Sequence, residues 1–266
     1  MTRTAVAVAA LIVMVAVGEA WAALSVSVTP PMLDLSVPPG GKKTFTLQVG
    51  NLGDMAIRVT PRVMDLSLSA TGAALPGEPG SSARSCAKWV SLDLSAFSLD
   101  PGESRGREMV LSVPRGVSGG YYCVVIFEAV PAARDAAESQ LAITTRTGTI
   151  VMETVPRSYV REGDIVDGRV SGGVGDGMEI VAHFTNTGNV HVQVRPSCVI
   201  KSREGRIVDR VKLEAGTGTV LPEGTRRMAG IWSNKRKMVP GEYTAEIAVD
   251  YRGRKRATRS VVFRIE

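Results

Sequence analysis

The 266-residue chain contains 44% hydrophobic residues and carries a formal net charge of +6. This composition supplies enough apolar side chains for a folded core and excludes a largely disordered protein. The charge is uneven, because positions 161–266 hold 19 Lys and Arg against 13 Asp and Glu, whereas positions 1–160 hold 13 of each. Aromatic residues make up only 5% of the chain, while Gly occurs 28 times and Pro 14 times. Short apolar runs interrupted by such turn residues are typical of an all-β protein.

The first 22 residues have the pattern of a secretory signal peptide. Arg3 precedes an apolar run from Ala5 to Val17, which is shorter than the roughly 20 residues that a membrane-spanning helix needs. Ala20, Trp21 and Ala22 match the small-residue cleavage pattern, so we predict cleavage after Ala22. An uncleaved anchor is the alternative, which the short run disfavours. We expect an exported protein, periplasmic or extracellular, without a transmembrane anchor.

An internal repeat predicts two similar domains. The segment 45–64 aligns with 180–199 at an offset of 135, which matches Asn51 with Asn186 within a glycine-containing turn. Further along, 121–128 aligns with 243–250 at an offset of 122. Each copy alternates apolar and polar residues on both sides of a tight turn, as strands do. We therefore predict an all-β protein of two tandem immunoglobulin-like β-sandwich domains, 23–158 and 159–266, after the signal peptide at 1–22.

The predicted strand 119–129 has two contrasting faces. Because side chains alternate across a strand, one face holds Tyr121, Cys123, Val125 and Phe127, which align with the inward residues Tyr243, Ala245, Ile247 and Val249. The opposite face holds Tyr122, Val124 and Ile126. An exposed apolar patch often marks a partner surface. The alternative, which the sequence leaves open, is that domain 2 or a loop covers this face.

The repeat predicts where two of the three cysteines lie. Cys123 aligns with Ala245, and Cys198 aligns with Val63, so both are expected to be buried. Cys86 precedes a predicted strand and could reach Cys123 across the sandwich, where an exported protein tolerates a disulfide. Sequence alone leaves open whether this pair is bridged or free.

We find no catalytic, cofactor-binding or metal-binding constellation in the sequence. The two histidines, His183 and His191, are predicted on outward faces of successive strands in opposite sheets, which does not suit a shared metal. The motifs of zinc proteases, of serine hydrolases with a nucleophile elbow and of β-lactamases do not occur. We therefore predict that the protein is not an enzyme and binds no cofactor.

A basic cluster is predicted at the tip of the last hairpin, formed by Arg252, Arg254, Lys255 and Arg256. Such a cluster could attract an anionic envelope polymer by screened electrostatics, or it could serve only solubility. Nucleic acid is not an expected partner, because the protein is predicted to be exported and no aromatic platform accompanies the charges.

The segments 28–51, 99–104 and 119–128, followed by the predicted strand 141–156, resemble the PapD-like periplasmic pilus-assembly chaperones and related two-domain bacterial exported proteins. The resemblance implies that the last strand of domain 1 is lent to a folding subunit by β-augmentation. Those chaperones hold the subunit's terminal carboxylate with basic residues on the first and last strands. Here the first strand, 26–37, has no basic residue, and Met32 stands near the expected arginine, whereas Arg146 lies on the last strand.

Two functions follow as hypotheses. The first is a chaperone or assembly factor whose partner is an exported subunit, contacted by Tyr122, Val124, Ile126, Leu141 and Ile143, with Arg146 as an anchor. The second is a structural or adhesive envelope protein whose basic domain 2 binds an anionic polymer through Arg252, Arg254, Lys255 and Arg256.

Overall fold

The computed structural model describes residues 24–132, 144–173 and 177–266. The predicted signal peptide therefore lies outside the described residues. So do Leu141 and Ile143, the two predicted contacts at the start of the last strand of domain 1.

Domain 1 is a sandwich of two sheets. One sheet has the order β1-β3-β8-β6, and the other has the order β2-β10-β9-β4-β5, with β7 also paired to β4. The strands are β1 (Val26–Thr29), β2 (Met32–Leu35), β3 (Lys42–Asn51), β4 (Ile57–Leu68), β5 (Ala74–Gly77), β6 (Val90–Leu92), β7 (Phe97–Leu99), β8 (Ser104–Ser112), β9 (Gly120–Pro131) and β10 (Thr145–Thr154). A 3₁₀ turn, Ala87–Trp89, leads into β6.

Domain 2 repeats the sandwich with a smaller set of strands. A three-stranded sheet, β11-β12-β17, faces a four-stranded sheet, β15-β14-β18-β19, and a short pair, β13-β16, lies beside them. The strands are β11 (Gly163–Gly173), β12 (Gly177–Asn186), β13 (Val192–Gln193), β14 (Arg195–Ser202), β15 (Ile207–Val211), β16 (Thr219–Val220), β17 (Thr225–Trp232), β18 (Gly241–Asp250) and β19 (Ala257–Ile265). A 3₁₀ turn, Lys235–Lys237, precedes β18.

Each domain has its own hydrophobic core. The core of domain 1 is built from buried residues between Val26 and Val155, and the core of domain 2 from buried residues between Ile165 and Ile265. Two β-sandwich domains in tandem, as the repeat predicted, are thus confirmed. The predicted boundary between 158 and 159 lies in the segment that joins the two cores.

The predicted first strand, 26–37, is in fact two strands in different sheets. β1 pairs antiparallel with β3, whereas β2 crosses the sandwich and pairs parallel with β10, matching Met32 with Ile150. The break falls at Pro30 and Pro31, and prolines lack the N–H that a ladder needs. The crossing places β2 on the outer edge of β10.

The internal repeat reappears as one hydrogen-bonded corner in each domain. Asn51 is fully buried, and its Nδ2 donates to the carbonyls of Met55 (2.8 Å) and Leu99 (3.2 Å), while its Oδ1 accepts from Gly53 N at 3.0 Å. Asn186, at the repeat position, is also fully buried and makes the same bonds. Its Nδ2 donates to the Val190 and Val220 carbonyls at 2.8 and 2.9 Å, and its Oδ1 accepts from Gly188 N. The aligned asparagines therefore tie the hairpin to the rest of each sandwich.

We expect Asn186→Ala to destabilise the protein by about 3 kcal/mol, because two buried carbonyls and one N–H would lose their partner. The measurement is urea unfolding followed by tryptophan fluorescence. Asn234→Ala, an exposed asparagine in the same domain, is the matched control and should change the free energy of unfolding by less than about 0.5 kcal/mol. Equal effects in the two variants would contradict the role of the corner.

The inward face of β9 is as predicted. Cys123, Val125 and Phe127 are fully buried, and their repeat partners Ala245, Ile247 and Val249 are buried at the same positions of β18. The two tyrosines behave differently. The Tyr243 hydroxyl donates to the Val239 carbonyl at 2.8 Å, as a tyrosine corner does, whereas the Tyr121 ring packs on Trp89 with centroids 4.3 Å apart.

Candidate partner-binding surface

Among the residues that the structure describes, β2 covers only a part of the outer edge of β10. Its inner edge pairs with β9 along the whole strand, but β2 covers the outer edge only from Ile150 to Glu153. Ile150 N donates to Pro31 O at 3.0 Å, so the backbone groups of Ile150 face outward. Because backbone groups alternate between the two edges of a strand, those of Gly148 and Arg146 face outward too. They have no backbone partner within the described residues, and we call this stretch, Arg146–Gly148, the open edge.

Glu153 of β10 binds the segment that follows β2, the strand that covers β10 from Ile150 to Glu153. It is fully buried, and its Oε1 accepts a hydrogen bond from Val37 N at 2.7 Å, just beyond β2. Its Oε2 has no partner within the described part of the chain. Burial raises the pKa of this carboxyl above the ordinary glutamate value, since burial disfavours the charged form.

A raised pKa in the folded state means that the folded protein binds the proton more tightly than the unfolded chain. The contribution of protonated Glu153 to the free energy of unfolding is therefore fully present below the ordinary glutamate pKa. It is lost as the pH rises through the pKa that Glu153 has in the folded protein. We expect Glu153→Gln, whose Oε1 can still accept from Val37 N, to gain stability relative to the wild type as the pH rises. Thermal unfolding between pH 4 and 8 measures this. Glu78→Gln, an exposed glutamate, is the control, and a pH-independent difference for Glu153→Gln would contradict the assignment.

The outward face beside the open edge is apolar. By register, Ile126 lies between Arg62 on β4 and Gly148 on β10, and it is half-buried. Gly148 has no side chain to cover it. Further apolar side chains continue this face, namely Met64 and Ile150, both half-buried, and Met32, 48% exposed. These three residues were not among the predicted contacts, although strand alternation on β4 and β10 could have found Met64 and Ile150.

Two of the predicted contacts are buried rather than accessible. Tyr122 is only 2% exposed, because it packs with Leu66, Met152 and Leu221, the last of which belongs to domain 2. Its hydroxyl accepts a hydrogen bond from His191 N at 2.6 Å. Coverage by domain 2, the alternative that the sequence left open, thus applies to Tyr122. The prediction that Tyr122 lies on a free surface is wrong.

Val124 is 5% exposed, since Met64 and Ile150 lie opposite it on the two neighbouring strands. A charge at Val124 would be placed in a packed position and would destabilise domain 1. Val124 therefore packs beneath the apolar face and is not available for contact. Of the three predicted apolar contacts on β9, Ile126 remains accessible.

Arg146 is exposed at the open edge and takes part in a small charge cluster. Its Nε donates to Glu128 Oε2 at 3.2 Å, and Arg62 Nε lies 4.0 Å from the same oxygen. The Arg146 and Arg62 side chains are 67% and 61% exposed, so these ion pairs contribute little to stability. Charges at an exposed strand edge do limit unselective pairing with other strands.

Cys123 and Cys198 lie in the cores, as predicted, and Cys86 is buried beside Cys123. Cys86 and Cys123 are fully buried, and their sulfur atoms are 3.0 Å apart as free thiols. Cys198 is buried in domain 2, where burial raises its pKa to about 12. Burial likewise raises the pKa of Cys86. Thiols with raised pKa values are poor nucleophiles at neutral pH.

The predicted basic cluster is solvent-exposed between β18 and β19. Arg252, Arg254, Lys255 and Arg256 are all exposed. None of the four forms an ion pair within the described residues. Arg161, from the segment that joins the domains, lies beside this loop and stacks over Tyr159, with its guanidinium carbon 4.6 Å from the ring centroid.

The prediction that both histidines lie on strands is correct for His183 of β12, whereas His191 directly precedes β13. His191 lies at the domain junction, where burial lowers its pKa, whereas His183 on β12 lies 3.5 Å from Asp167. Residues 24–132, 144–173 and 177–266 contain no group of three or more His, Cys, Asp or Glu arranged to hold a metal ion. Nor does any helix among these residues have the length and hydropathy to cross a membrane.

Comparisons with known proteins find similarity in structure only. Neither a protein-family model nor a curated protein matches the chain by sequence. The class 5 fimbriae chaperone CfaA shares 15% identity, with 91% of this chain and 99% of that chain covered and a TM-score of 0.45. The E. coli chaperone DraB shares 13%, with coverages of 91% and 98% and a TM-score of 0.42. A chain of the Salmonella enterica SafA pilin–SafB chaperone complex shares 12%, with coverages of 90% and 97% and a TM-score of 0.41.

The resemblance to PapD-like pilus chaperones is therefore one of fold, two β-sandwiches in tandem. Fold does not determine function, and identities and TM-scores of this size say nothing about the partner. What the chain binds has to follow from its own open edge and apolar face.

Proposed function

We propose that this protein is a non-enzymatic assembly chaperone of the cell envelope, acting in the periplasm or outside the cell. It would hold an exported protein subunit by pairing a strand of that subunit with the open edge of β10. The observation that carries the proposal is the backbone of Arg146 and Gly148, which has no backbone partner in the part of the chain that the structure describes, beside an edge that β2 covers from Ile150 onward. Free edges of this kind accept an added strand.

The apolar face next to the open edge supports the same proposal. A strand added at Arg146–Gly148 would extend the sheet, and its side chains would lie beside the face formed by Ile126, Ile150 and Met32. Since Gly148 has no side chain, a partner side chain could reach Ile126 across it. Main-chain hydrogen bonds then supply affinity, and the apolar contacts supply specificity.

The test is capture of partners by the tagged protein from its native envelope extract, with Ile126→Lys as the variant. We expect one exported protein to co-purify stoichiometrically and to be lost with Ile126→Lys. The half-buried Ala248, at the repeat position of Ile126 in domain 2, provides the matched control, and Ala248→Lys should retain the partner. Capture that survives Ile126→Lys would show that this face is not the binding surface.

A second candidate function rests on the exposed basic loop of domain 2. Arg252, Arg254, Lys255 and Arg256 could bind an anionic envelope polymer, which would make the protein a structural or adhesive component. The same experiment separates the two functions, because binding of this kind involves no stoichiometric protein partner and is reversed by moderate salt.

A further inference from the structure

A cleft of about 600 Å³ lies between the basic loop of domain 2 and the segment that joins the domains. Arg252, Arg254 and Lys255 line it from the loop, and Arg161 and Glu162 line it from the joining segment. Four cations thus face one carboxylate, and none of the four forms an ion pair in the part of the chain that the structure describes. We call this space the basic cleft, and its excess of positive charge favours an anionic partner.

The backbone of the basic loop has a defined conformation. Arg252 has a φ of 58°, in the left-handed region that residues other than glycine rarely adopt, and its N–H donates to Asp250 Oδ1 at 3.0 Å. A Cβ on Gly253 would overlap the ring of the buried Tyr251, so this ring packs directly beneath the loop. The basic side chains therefore extend from a turn whose backbone is held in place.

The opposite wall of the basic cleft is also bound to domain 2. Val160 N donates to Asn189 Oδ1 at 2.6 Å, and Asn189 N donates to Val160 O at 3.1 Å. The Glu162 carbonyl accepts from the N–H groups of Thr187 and Gly188, at 3.0 Å each. Both walls are thus attached to the same domain, and domain 1 contributes nothing to the cleft.

An aromatic and an apolar side chain are exposed beside the cations. Tyr159 is 41% exposed and Val160 is 48% exposed, and both line the basic cleft. The sequence alone indicated no aromatic platform with these charges, but the fold brings Tyr159 next to them, where Arg161 stacks on its ring. Tyrosine is enriched at the boundary between lipid headgroups and water, because its ring is apolar and its hydroxyl is polar.

We propose that the basic cleft binds the surface of an anionic membrane, with Tyr159 and Val160 among the lipid headgroups and the cations on the lipid phosphates. Cations close to such a membrane are attracted by its negative surface potential, and guanidinium groups bind phosphate oxygens through paired donors. A soluble polyanion would use the cations alone. The exposed pair Tyr159 and Val160 favours a lipid surface, because apolar groups at the interface strengthen membrane binding.

The proposed membrane contact does not rest on the proposed chaperone function, since the open edge lies in domain 1 and the basic cleft in domain 2. It involves the same loop as the second candidate function, but a lipid surface is a different class of ligand from a soluble polymer.

The test is co-sedimentation of the full-length mature protein with vesicles of phosphatidylcholine, alone or with about one third phosphatidylglycerol. We expect binding to the anionic vesicles only, with an affinity that falls as the salt concentration rises. The double variant Arg254→Gln/Lys255→Gln should bind roughly 25-fold more weakly, because each cation near an anionic membrane contributes about fivefold.

The matched control is the double variant Arg203→Gln/Arg206→Gln. It removes two positive charges from the exposed turn between β14 and β15. That turn lies at the far end of the sheet, because β14 and β18 are antiparallel, with Arg195 opposite Asp250 at the end that carries the basic loop. The affinity of this control for anionic vesicles should stay within about twofold of the wild type.

Tyr159→Ser tests the lipid contact itself, because this variant keeps every charge. We expect its affinity for anionic vesicles to fall by at least about threefold and its affinity for soluble polyphosphate to equal that of the wild type. Absence of wild-type binding to anionic vesicles would overturn the proposal. Equal losses in the two double variants would also overturn it, since attraction would then follow net charge. If Tyr159→Ser binds vesicles as the wild type does, the cations act alone and the membrane contact is wrong.

Discussion

One of the three cysteines should react when the protein, purified without reductant, is unfolded in the presence of an alkylating agent, and that cysteine should be Cys198. After reduction, all three should react. Cys86 and Cys123 should not react before reduction, because we expect them to form a disulfide in an oxidising compartment. In that step the two thiols lose two protons and two electrons to an oxidant such as oxidised glutathione. Peptide mapping by mass spectrometry identifies the residues.

The geometry of the pair supports the bond. The two sulfur atoms are 3.0 Å apart, and a disulfide bond is about 2.05 Å long, so they need to approach by only about 1 Å. The backbone already holds the two segments together, since Cys86 N donates to Tyr122 O at 3.2 Å. Both side chains are fully buried, so a reductant would reach the bond only when domain 1 opens.

The disulfide should also change stability. It would close a loop of 37 residue steps, for which the chain-entropy relation gives about 4 kcal/mol of stabilisation. We expect the unfolding midpoint of the wild type to rise on oxidation, and that of Cys123→Ala to be independent of redox conditions. Alanine is a sound choice, because Ala245 occupies the repeat position in domain 2. Three reactive thiols in oxidised protein, or identical midpoints with and without reductant, would contradict this prediction.

The fold could be predicted from the sequence because the same local chemistry occurs twice. The aligned asparagines Asn51 and Asn186 make identical corners, and the alternation on β9 and β18 assigns the same inward positions. The division of the first strand was missed, although Pro30 and Pro31 mark it. Alternation of apolar residues continues across the break, and sequence alone does not tell which sheet each half joins.

The site was less predictable, because its accessibility depends on how the domains meet. Tyr122 is apolar and outward on β9, as predicted, but Leu221 and His191 of domain 2 cover it. No periodicity in the strand contains that information. Tyr159 was missed for a related reason, since only the folded chain places the segment that joins the domains beside the loop after β18. Arg146, by contrast, is exposed at the edge of β10, and its role there remains a prediction.

Replacement of Arg146 by proline should abolish capture of the partner while the protein remains folded. The Arg146 N–H faces outward, so proline removes no hydrogen bond to β9 and instead removes a donor from the open edge. A main-chain hydrogen bond is worth about 1 kcal/mol, and the ring obstructs the added strand, so we expect at least about a tenfold loss of co-purified protein. Circular dichroism and thermal unfolding check that the fold persists.

Two matched variants separate backbone pairing from the other contributions of this strand. Arg146→Ala removes the charge and keeps the N–H, and it should retain most of the captured protein, because the ion pair with Glu128 is exposed. Thr147→Pro, one residue further on, removes a donor that faces β9 and should destabilise domain 1 itself. If capture is lost equally with Arg146→Ala and Arg146→Pro, the side chain binds the partner and strand addition is the wrong mechanism. If neither variant loses it, the partner does not use the edge of β10.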